Sequence, residues 1–291
     1  MMTIQWYPGH MAKAKRLAIE KLSMVDIIVE LIDARIPQSS RNPVIDEIIG
    51  SKRRVIALNK ADLADPVATR AWVQTFQSQG HAAIAIDAQH QKGIRQLKEL
   101  IRKEMAPVFE EQAAKGILSK NIRLMILGIP NVGKSTLINR FVGKNQAITG
   151  NKPGVTKAQR WLKIDRDFEL LDTPGILWPK FEDQTIGMKL AITGAIKDDL
   201  LHMDDLALWL LEYLLERQPE RLFERYRIKP AEIEQMSSPE VLLLMTERMN
   251  FGDDYDAFSE RMIHDYRKGI LGQYTLDEPV GEQTTGEVDG K

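Results

Sequence analysis

The 291-residue chain contains no cysteine. This absence excludes disulfide bonds, thiolate metal sites and a cysteine nucleophile, and it fits a reducing compartment. No segment approaches the roughly 18 uninterrupted apolar residues that a membrane-spanning helix needs. The basic residues of the opening segment MMTIQWYPGHMAKAKRL are not followed by an apolar run of signal-peptide length. We therefore expect a cytoplasmic protein with no membrane partner.

A strong net charge is also missing, because 40 lysine and arginine residues are balanced by 41 aspartate and glutamate residues. Bulk electrostatics therefore favour no polyanionic partner, and any contact with RNA must use local patches. What the chain does have is length and apolar content. Hydrophobic residues make up 43% of the sequence, which is enough for two domains with a well-buried core.

Short apolar segments alternate with helical patterns in the first part of the chain. The segments are DIIVELID, RVIALN, AAIAID and IRLMILG, and WLKIDRDFELLD adds two strands joined by a polar turn. This alternation predicts an α/β fold, with a mostly parallel sheet and helices on both faces. Beyond about residue 185 only helical periods remain. We expect an α/β domain over residues 1–180, a small all-helical domain over 181–274 and a disordered acidic tail over 275–291.

The segment GIPNVGKS at residues 128–135 matches the phosphate-loop pattern G-x-x-x-x-G-K-S/T. It follows the strand-like IRLMIL and precedes STLINRFVG, which has the pattern of a helix. Backbone N–H groups of such a loop close around phosphate oxygens, and the helix N-terminus adds favourable partial charge. Lys134 would then reach the β and γ phosphates, and Ser135 would hold Mg²⁺. A chance match is the alternative, and the correct flanks disfavour it.

Two further motifs predict which nucleotide binds. In NKAD, at residues 59–62, the Asp62 carboxylate can accept two hydrogen bonds from guanine N1–H and the exocyclic amine. Adenine lacks this pair of donors, so ATP should be rejected. In LLDTPG, at residues 170–175, Asp172 ends a strand where a carboxylate can orient Mg²⁺ through water. Gly175 can offer its N–H to the γ-phosphate.

The order of these motifs is unusual, because the base-reading motif precedes the phosphate loop. The order NKAD, AIDAQ, GIPNVGKS, PGVT and DTPG resembles that of the circularly permuted GTPases. More narrowly, WYPGHMAKA, DARIPQSSRNP and DTPGILWPKFED resemble the ribosome biogenesis GTPase A family, the YlqF type. The similarity runs from Thr3 to about Tyr226. A sheet tolerates such a rotation, since its packing depends on which strands are neighbours and chain ends can be relocated.

The resemblance implies roles for individual residues. Mg²⁺ would be held by Ser135, Thr156 and, through water, Asp172. One departure is that the usual Ser-Ala base motif reads Asp87-Ala88, which keeps the Ala88 amide but loses the support of the serine. The residues implied to bind nucleotide are Asn59, Lys60, Ala61, Asp62, Ala88, Asn131, Val132, Gly133, Lys134, Ser135, Thr136, Thr156 and Gly175, with Asn59 and Asp62 reading guanine and Lys60 stacking along the base.

Catalysis lacks one expected group, because Ile176 stands where many GTPases place a water-orienting glutamine. The sequence therefore predicts slow hydrolysis by the isolated protein. The resemblance implies that His10 in YPGHM helps to position water, and a turn-capping histidine is the alternative. In loops reading G-x-P-N-x-G-K-S, the asparagine, here Asn131, often accompanies a potassium ion that offsets transition-state charge. An ordinary loop-stabilising asparagine is the other interpretation.

The resemblance also implies the partners. These are GTP and GDP, and the large ribosomal subunit with its rRNA and proteins. The protein would dock late in assembly in the GTP state and leave after subunit-stimulated hydrolysis, as a monomer off the ribosome. Basic residues of the first helix, such as Lys15, could contact RNA, although such a face is usually only solvated. Two alternatives are a slow GTP-gated RNA-binding protein and a potassium-dependent GTPase with a non-ribosomal partner.

Overall fold

The centre of the molecule is a six-stranded sheet with the strand order β3-β2-β1-β4-β6-β5. The computed structural model describes residues 15–16, 18–117, 121–143, 160–164, 166–172, 183–217 and 219–279. The strands are β1 (Ile27–Asp33), β2 (Arg53–Asn59), β3 (Ala82–Ala85), β4 (Ile122–Gly128), β5 (Arg160–Lys163) and β6 (Phe168–Asp172).

The sheet is parallel except at one edge. Strand β1 pairs in parallel with both β2 and β4, and β6 extends the parallel arrangement beyond β4. Strand β5 runs antiparallel to β6, as expected for two strands joined by a polar turn. All seven residues of β1 are buried, because helices cover both faces of a parallel sheet. The predicted α/β fold is confirmed.

The helices that pack on the sheet include α1 (Pro43–Ile49), α2 (Pro66–Ser78), α3 (Ile94–Ala114) and α4 (Lys134–Val142), and helical residues before Leu22 also contribute Ala18 to the core. Alternate residues of β1 contact different cores. Val29 lies in a core that includes residues of α3 and α4, and Ile28 lies in a core that includes residues of α1. Side chains Asn42 and Asp65 accept hydrogen bonds at the N-termini of α1 and α2, where each first helical residue is a proline.

The rest of the described chain is helical: α5 (Gln184–Ile192), α6 (Met203–Arg217), α7 (Glu220–Tyr226), α8 (Pro230–Ile233), α9 (Ser238–Arg248) and α10 (Tyr255–Arg267). We call residues 184–279 the helical region. The predicted apolar stripe of α6 is fully buried at Leu206, Leu210 and Leu214. Tyr226 of α7 packs edge to face on Phe258 of α10, with 5.3 Å between ring centroids.

The helical region shares a hydrophobic core with one face of the sheet. The cluster that contains Val29 and Leu124 also contains Leu190 and Leu210. The division at residue 180 therefore stays a prediction about chain organisation. Among the described helices, none combines the length and apolar character that crossing a bilayer requires.

The acidic tail was expected to be disordered from residue 275, and this expectation is wrong for its first residues. Thr275, Leu276 and Asp277 are buried, with exposed fractions of 8%, 2% and 5%. The polar average composition of the tail does not indicate that Leu276 is buried or that Asp277 has hydrogen-bond and ion-pair partners inside the protein. Residues 280–291 lie outside the described part of the chain.

Candidate functional site

The phosphate loop connects β4 to α4, and its two motif glycines are required by geometry. A Cβ atom at Gly128 would lie 2.3 Å from the backbone oxygen of Leu31 on the neighbouring strand. Gly133 has a φ of 101°, and a Cβ there would lie 2.3 Å from Nδ2 of Asn59. The glycines thus permit two close approaches that any side chain would block. The loop delivers the backbone N–H groups at the start of α4 to a cleft.

Lys134, the first residue of α4, is folded back into the phosphate loop. Its Nζ donates hydrogen bonds to the backbone oxygens of Gly128, at 3.1 Å, and Ile129, at 2.7 Å. The side chain is buried, so the loop's own carbonyl groups solvate the ammonium group. This arrangement holds the charge at the place where the sequence predicts phosphate oxygens. The next residues, Ser135 and Thr136, are half-buried, and Thr136 lines the cleft.

Asn59 at the end of β2 joins three segments that the sequence predicts to bind nucleotide. Its Nδ2 donates to the backbone oxygen of Val132 in the phosphate loop at 2.8 Å. Its Oδ1 accepts from the backbone N–H of Ala88, in the loop after β3, at 3.0 Å. Both polar atoms of this buried side chain therefore contact backbone. The geometry assigns Asn59 the role of holding the loops together, and the predicted direct contact with guanine stays a prediction.

Asp62 lines the same cleft, next to a second carboxylate, that of Asp87. Burial, followed by the nearby charge of Asp87, raises the pKa of the Asp62 carboxyl above its ordinary value. Asp87 is buried, and it accepts hydrogen bonds from the backbone N–H of His90, at 2.9 Å, and from the His90 ring, at 2.7 Å. Paired hydrogen-bond donors of a ligand would relieve the partly buried Asp62 carboxylate.

Lys60 belongs to a buried charge triad that the sequence analysis did not assign. Its Nζ lies 2.8 Å from Oδ2 of Asp33, and Arg35 binds the same carboxylate through Nη2 at 2.8 Å and Nε at 2.9 Å. Burial alone would raise the pKa of Asp33, but the two cations outweigh it and hold that pKa well below its usual range. The sequence signal for this triad is a charged Asp-x-Arg pattern, Asp33 to Arg35, that begins at the last residue of a buried strand.

The helical region forms one wall of the cleft. The cleft has a volume of about 770 Å³. It is lined on the sheet side by Arg35, Asn59, Lys60, Asp62, Leu63, Asp87, Gln89, Asn131, Gly133 and Thr136, and on the helical side by Thr193, Gly194, Ile196, Lys197, Asp198, Asp199, His264, Arg267 and Lys268. Sequence periods gave no indication of this wall, because its residues come from helix ends and the loops beside them.

Two hydrogen bonds fasten this wall to the loops of the sheet. Asn131 in the phosphate loop donates from Nδ2 to the backbone oxygen of Gly194 at 2.8 Å. Arg35 donates from Nη2 to the backbone oxygen of Thr193 at 3.2 Å. On the helical side, Arg267 donates to the backbone oxygens at the end of α5 and pairs with Asp198. The segment after α5 is therefore fixed between α10 and the phosphate loop.

Several predicted site residues cannot be placed in this geometry. His10, Thr156 and Gly175 lie outside the described residues. Asp172 is the last residue of β6, and its backbone ends at the same sheet edge as β4, which leads into the phosphate loop. The structure does bring together the segments that carry Asn59 to Asp62, Ala88 and Asn131 to Thr136 around one cleft.

Some basic side chains of the first helix and of the helical region are paired with acids. Lys15 pairs with Glu47 at 2.7 Å, and Arg225 of α7 pairs with the buried Asp265 at 2.7 Å. Residues 1–14, which include the aromatic pair of the opening segment, lie outside the described residues.

Comparisons with known proteins identify the family. Residues 123–246 match the family described as 50S ribosome-binding GTPase. Ribosome biogenesis GTPase A of Bacillus cereus is 48% identical over 97% of this chain and 97% of its own, and that of Priestia megaterium is 50% identical over 96% and 98%. A GNP-bound YlqF from T. maritima has the same fold, with a TM-score of 0.63 and 24% identity over 92% of this chain and 99% of its own. The chain belongs to the ribosome biogenesis GTPase A family.

Proposed function

We propose that this protein binds and hydrolyses GTP, that its GTP form docks on the large ribosomal subunit late in assembly, and that hydrolysis releases it. One observation supports the nucleotide part above all others: the NKAD segment and the phosphate loop meet at a single cleft through the side chain of Asn59. Family membership and the names of the relatives support the ribosomal part. The cytoplasmic location and the monomeric state stay predictions.

Two groups of residues at the cleft suit different parts of GTP. The Asp62 carboxylate can accept hydrogen bonds from guanine N1–H and the exocyclic amine. Lys60, held by Asp33, would lie along the base. The N-terminus of α4 and the ammonium group of Lys134 favour phosphate oxygens. This division of labour predicts that guanine sets specificity and the phosphates supply most of the affinity.

The residues near the phosphate loop fit Mg²⁺. Ser135 is in the first turn of α4, and the Asp172 backbone ends β6 at the same edge of the sheet. Hydroxyl and carboxylate oxygens are the ligands that Mg²⁺ prefers, together with water and phosphate. The bound ion would neutralise charge on the β and γ phosphates. Ser135 would hold it directly, Asp172 through water, and Thr156 in the GTP state.

Hydrolysis should be slow until the ribosomal subunit is bound. The aliphatic Ile176 cannot orient water, so the isolated protein depends on His10 for that task. Asn131, in the cleft wall, is the residue through which a potassium ion would act beside the phosphates. Docking on the subunit would order these groups, and thereby raise the rate.

The segment between β6 and α5 would transmit the state of the γ-phosphate. Gly175 lies in this segment, and α5 is the first helix of the helical region. A hydrogen bond from the Gly175 N–H to the γ-phosphate would therefore change the position of the helical region. The same region would carry the ribosome contacts that differ between GTP and GDP states.

The test is GTP hydrolysis by the purified protein in potassium buffer, with and without large ribosomal subunits. We expect strong stimulation by the subunits that is lost in His10→Ala. Replacing potassium with sodium tests the role of Asn131 in the same assay. Absence of stimulation, with GTP still bound, would instead support the slow GTP-gated RNA-binding protein that Ile176 permits. Stimulation by subunits that persists in His10→Ala would remove His10 from the mechanism.

A further inference from the structure

A short segment after α10 contacts the guanine-reading motif directly. We call residues 273–277, QYTLD, the strap. Gln273 donates from Nε2 to the backbone oxygen of Asp62 at 2.8 Å. These two residues are separated by 211 positions in sequence. The backbone of the proposed base-reading residue is therefore tied to the end of the helical region.

The strap also docks on the loop that follows β1. The backbone N–H of Leu276 donates to the backbone oxygen of Arg35 at 2.7 Å. Asp277 accepts from the backbone N–H and from the hydroxyl of Ser39, each at 2.7 Å. Leu276 and Asp277 are both buried. Buried hydrogen bonds of this kind hold a defined geometry, because breaking them leaves polar groups unsatisfied.

The other side of the strap is anchored in the helices. Tyr213 of α6 donates its hydroxyl to the backbone oxygen of Thr275 at 2.8 Å. Lys189 of α5 pairs with the Asp277 carboxylate at 2.8 Å, and Trp72 of α2 donates to the Asp277 backbone oxygen at 3.1 Å. The strap is thus fixed between helices α5 and α6 on one side and the α/β part of the chain on the other.

These contacts hold both ends of residues 60–62, the segment proposed to read guanine. At one end, Gln273 holds the backbone of Asp62. At the other end, the loop that the strap docks on contains Arg35, whose guanidinium fixes Asp33, and Asp33 in turn holds the ammonium group of Lys60. A change in strap docking would therefore displace the two side chains proposed to contact the base.

We propose that the strap positions residues 60–62 for guanine, so that guanine binding and strap docking stabilise each other. This inference rests on the proposed function of Asp62. By linkage, if docking of the strap raises the affinity for guanine, then guanine must stabilise docking by the same factor. The coupling acts at the base, so GDP and GTP affect the strap equally. If the coupling acted through the γ-phosphate instead, GTP and GDP would stabilise strap docking by different amounts.

Affinity for two diphosphates provides the first test. Inosine diphosphate lacks the exocyclic amine of guanine, so it makes one fewer hydrogen bond to Asp62. In Gln273→Ala we expect GDP affinity to fall by about two- to tenfold and the GDP-to-IDP preference to narrow. The matched control is Gln77→Ala, because Gln77 is likewise exposed and donates Nε2 to a backbone oxygen, that of Ala83 at 3.2 Å, away from the cleft. Gln77→Ala should bind GDP and IDP with the same affinities as the unmodified protein.

Disturbing the docked end of the strap provides a second variant. Asp277→Asn removes a charge that Lys189 and Ser39 contact, so it should also narrow the GDP-to-IDP preference. Asp265→Asn is its control, because Asp265 is a buried aspartate paired with Arg225 between helices. It should lower the stability of the helical region and leave the GDP-to-IDP ratio unchanged. This pair separates an effect on base recognition from general destabilisation.

Hydrogen exchange provides the reciprocal measurement on the full chain. Saturation with GDP or GTP should slow amide exchange at residues 273–277 to the same extent, and ADP should leave it unchanged. Unchanged exchange with GDP bound, or unchanged GDP and IDP affinities in Gln273→Ala, would overturn the inference while leaving guanine binding intact. If the unmodified protein failed to prefer GDP over ADP, the proposed function would fail, and this inference with it.

Discussion

The side-chain amide of Asn59 lies 2.8 Å from the backbone oxygen of Val132, although 73 positions separate the two residues in sequence. This hydrogen bond connects the end of β2, where the predicted base-reading motif begins, to the phosphate loop. The same side chain accepts a hydrogen bond from Ala88. Because strands β2 and β4 flank β1 in the sheet, the permuted order of the motifs along the chain does not prevent their meeting at one edge.

Replacing Asn59 should therefore affect stability and nucleotide binding together. In Asn59→Ala, the backbone oxygen of Val132 and the N–H of Ala88 lose their side-chain partner in a buried place. We expect the free energy of unfolding to fall by about 1–3 kcal/mol and GDP affinity to fall as the loops separate. Urea unfolding and GDP titration measure the two effects.

The control for this prediction is Asn42→Ala. Asn42 is also a buried asparagine, but it caps α1 by accepting from the N–H of Val44 at 3.0 Å. Loss of this cap should lower the free energy of unfolding by about 0.5–2 kcal/mol without changing GDP affinity. If Asn59→Ala lowered stability by a similar amount and bound GDP normally, Asn59 would be a structural residue only.

Asp62→Asn should change which base is bound. An asparagine keeps the shape but replaces one carboxylate oxygen with an NH₂ donor, which repels the exocyclic amine of guanine and matches the carbonyl oxygen of xanthine. We expect GDP affinity to fall at least about a hundredfold and xanthosine diphosphate to become the preferred ligand. Competition between the two diphosphates measures the exchange of preference.

Asp65→Asn is the matched control, because Asp65 lies three positions along and accepts hydrogen bonds at the N-terminus of α2. It should retain the preference for GDP. Weak GDP binding without any gain for xanthosine diphosphate in Asp62→Asn would show that Asp62 supports the loop and does not read the base.

Gly133→Ala should damage the phosphate loop through sterics. The φ of 101° is unfavourable for any side chain, and the added Cβ would lie 2.3 Å from Nδ2 of Asn59, which must then leave Val132. We expect a loss of at least about 2 kcal/mol in unfolding free energy, together with weakened GDP binding. Gly143→Ala is the control, since its φ is 68° and, among the described residues other than its chain neighbours, no atom lies within 4 Å of the added Cβ. Equal losses of unfolding free energy in Gly133→Ala and Gly143→Ala would contradict this explanation.

Local patterns in the sequence predict local structure and the motifs on it. The apolar segment IRLMILG coincides with β4, and the flanking glycine and lysine predict the loop and helix that follow. The hydrogen bonds of Arg35 to Thr193 and of Gln273 to Asp62 join positions 158 and 211 residues apart. A single sequence contains no signal for such pairs, because neither residue type nor period indicates a partner. The helical wall of the cleft and the contacts of the strap could therefore be found only in the structure.

The expected disorder of residues 275–277 illustrates the same limit. The tail is polar and acidic on average, which is typical of disordered segments. The buried Asp277 carboxylate is nevertheless stabilised by Ser39 and Lys189, and Leu276 joins the main core. Three-dimensional complementarity over a few residues outweighs the composition of the whole segment.

The Asp33 triad predicts how stability depends on pH. Arg35 and Lys60 hold the pKa of the buried Asp33 carboxyl below the value of about 3.9 that it has in an unfolded chain. Below that value the unfolded state binds more protons than the folded state, so the stabilisation present at neutral pH is lost as pH falls from about 5 towards the folded pKa. Urea unfolding between pH 7 and pH 3 measures this loss.

Asp33→Asn identifies the part of this acid sensitivity that Asp33 causes. The variant leaves two buried or partly buried cations without their carboxylate, so at pH 7 we expect it to lose about 3–5 kcal/mol of unfolding free energy. Below about pH 4 the unfolded state of the unmodified protein takes up a proton at Asp33, and the variant has no carboxyl there to take one up, so the difference in stability between the two proteins should shrink. Asp253→Asn, at an exposed position between α9 and α10, should follow the unmodified protein at every pH. A difference for Asp33→Asn that stayed constant down to pH 3 would show that the carboxylate charge contributes no pH-dependent stability.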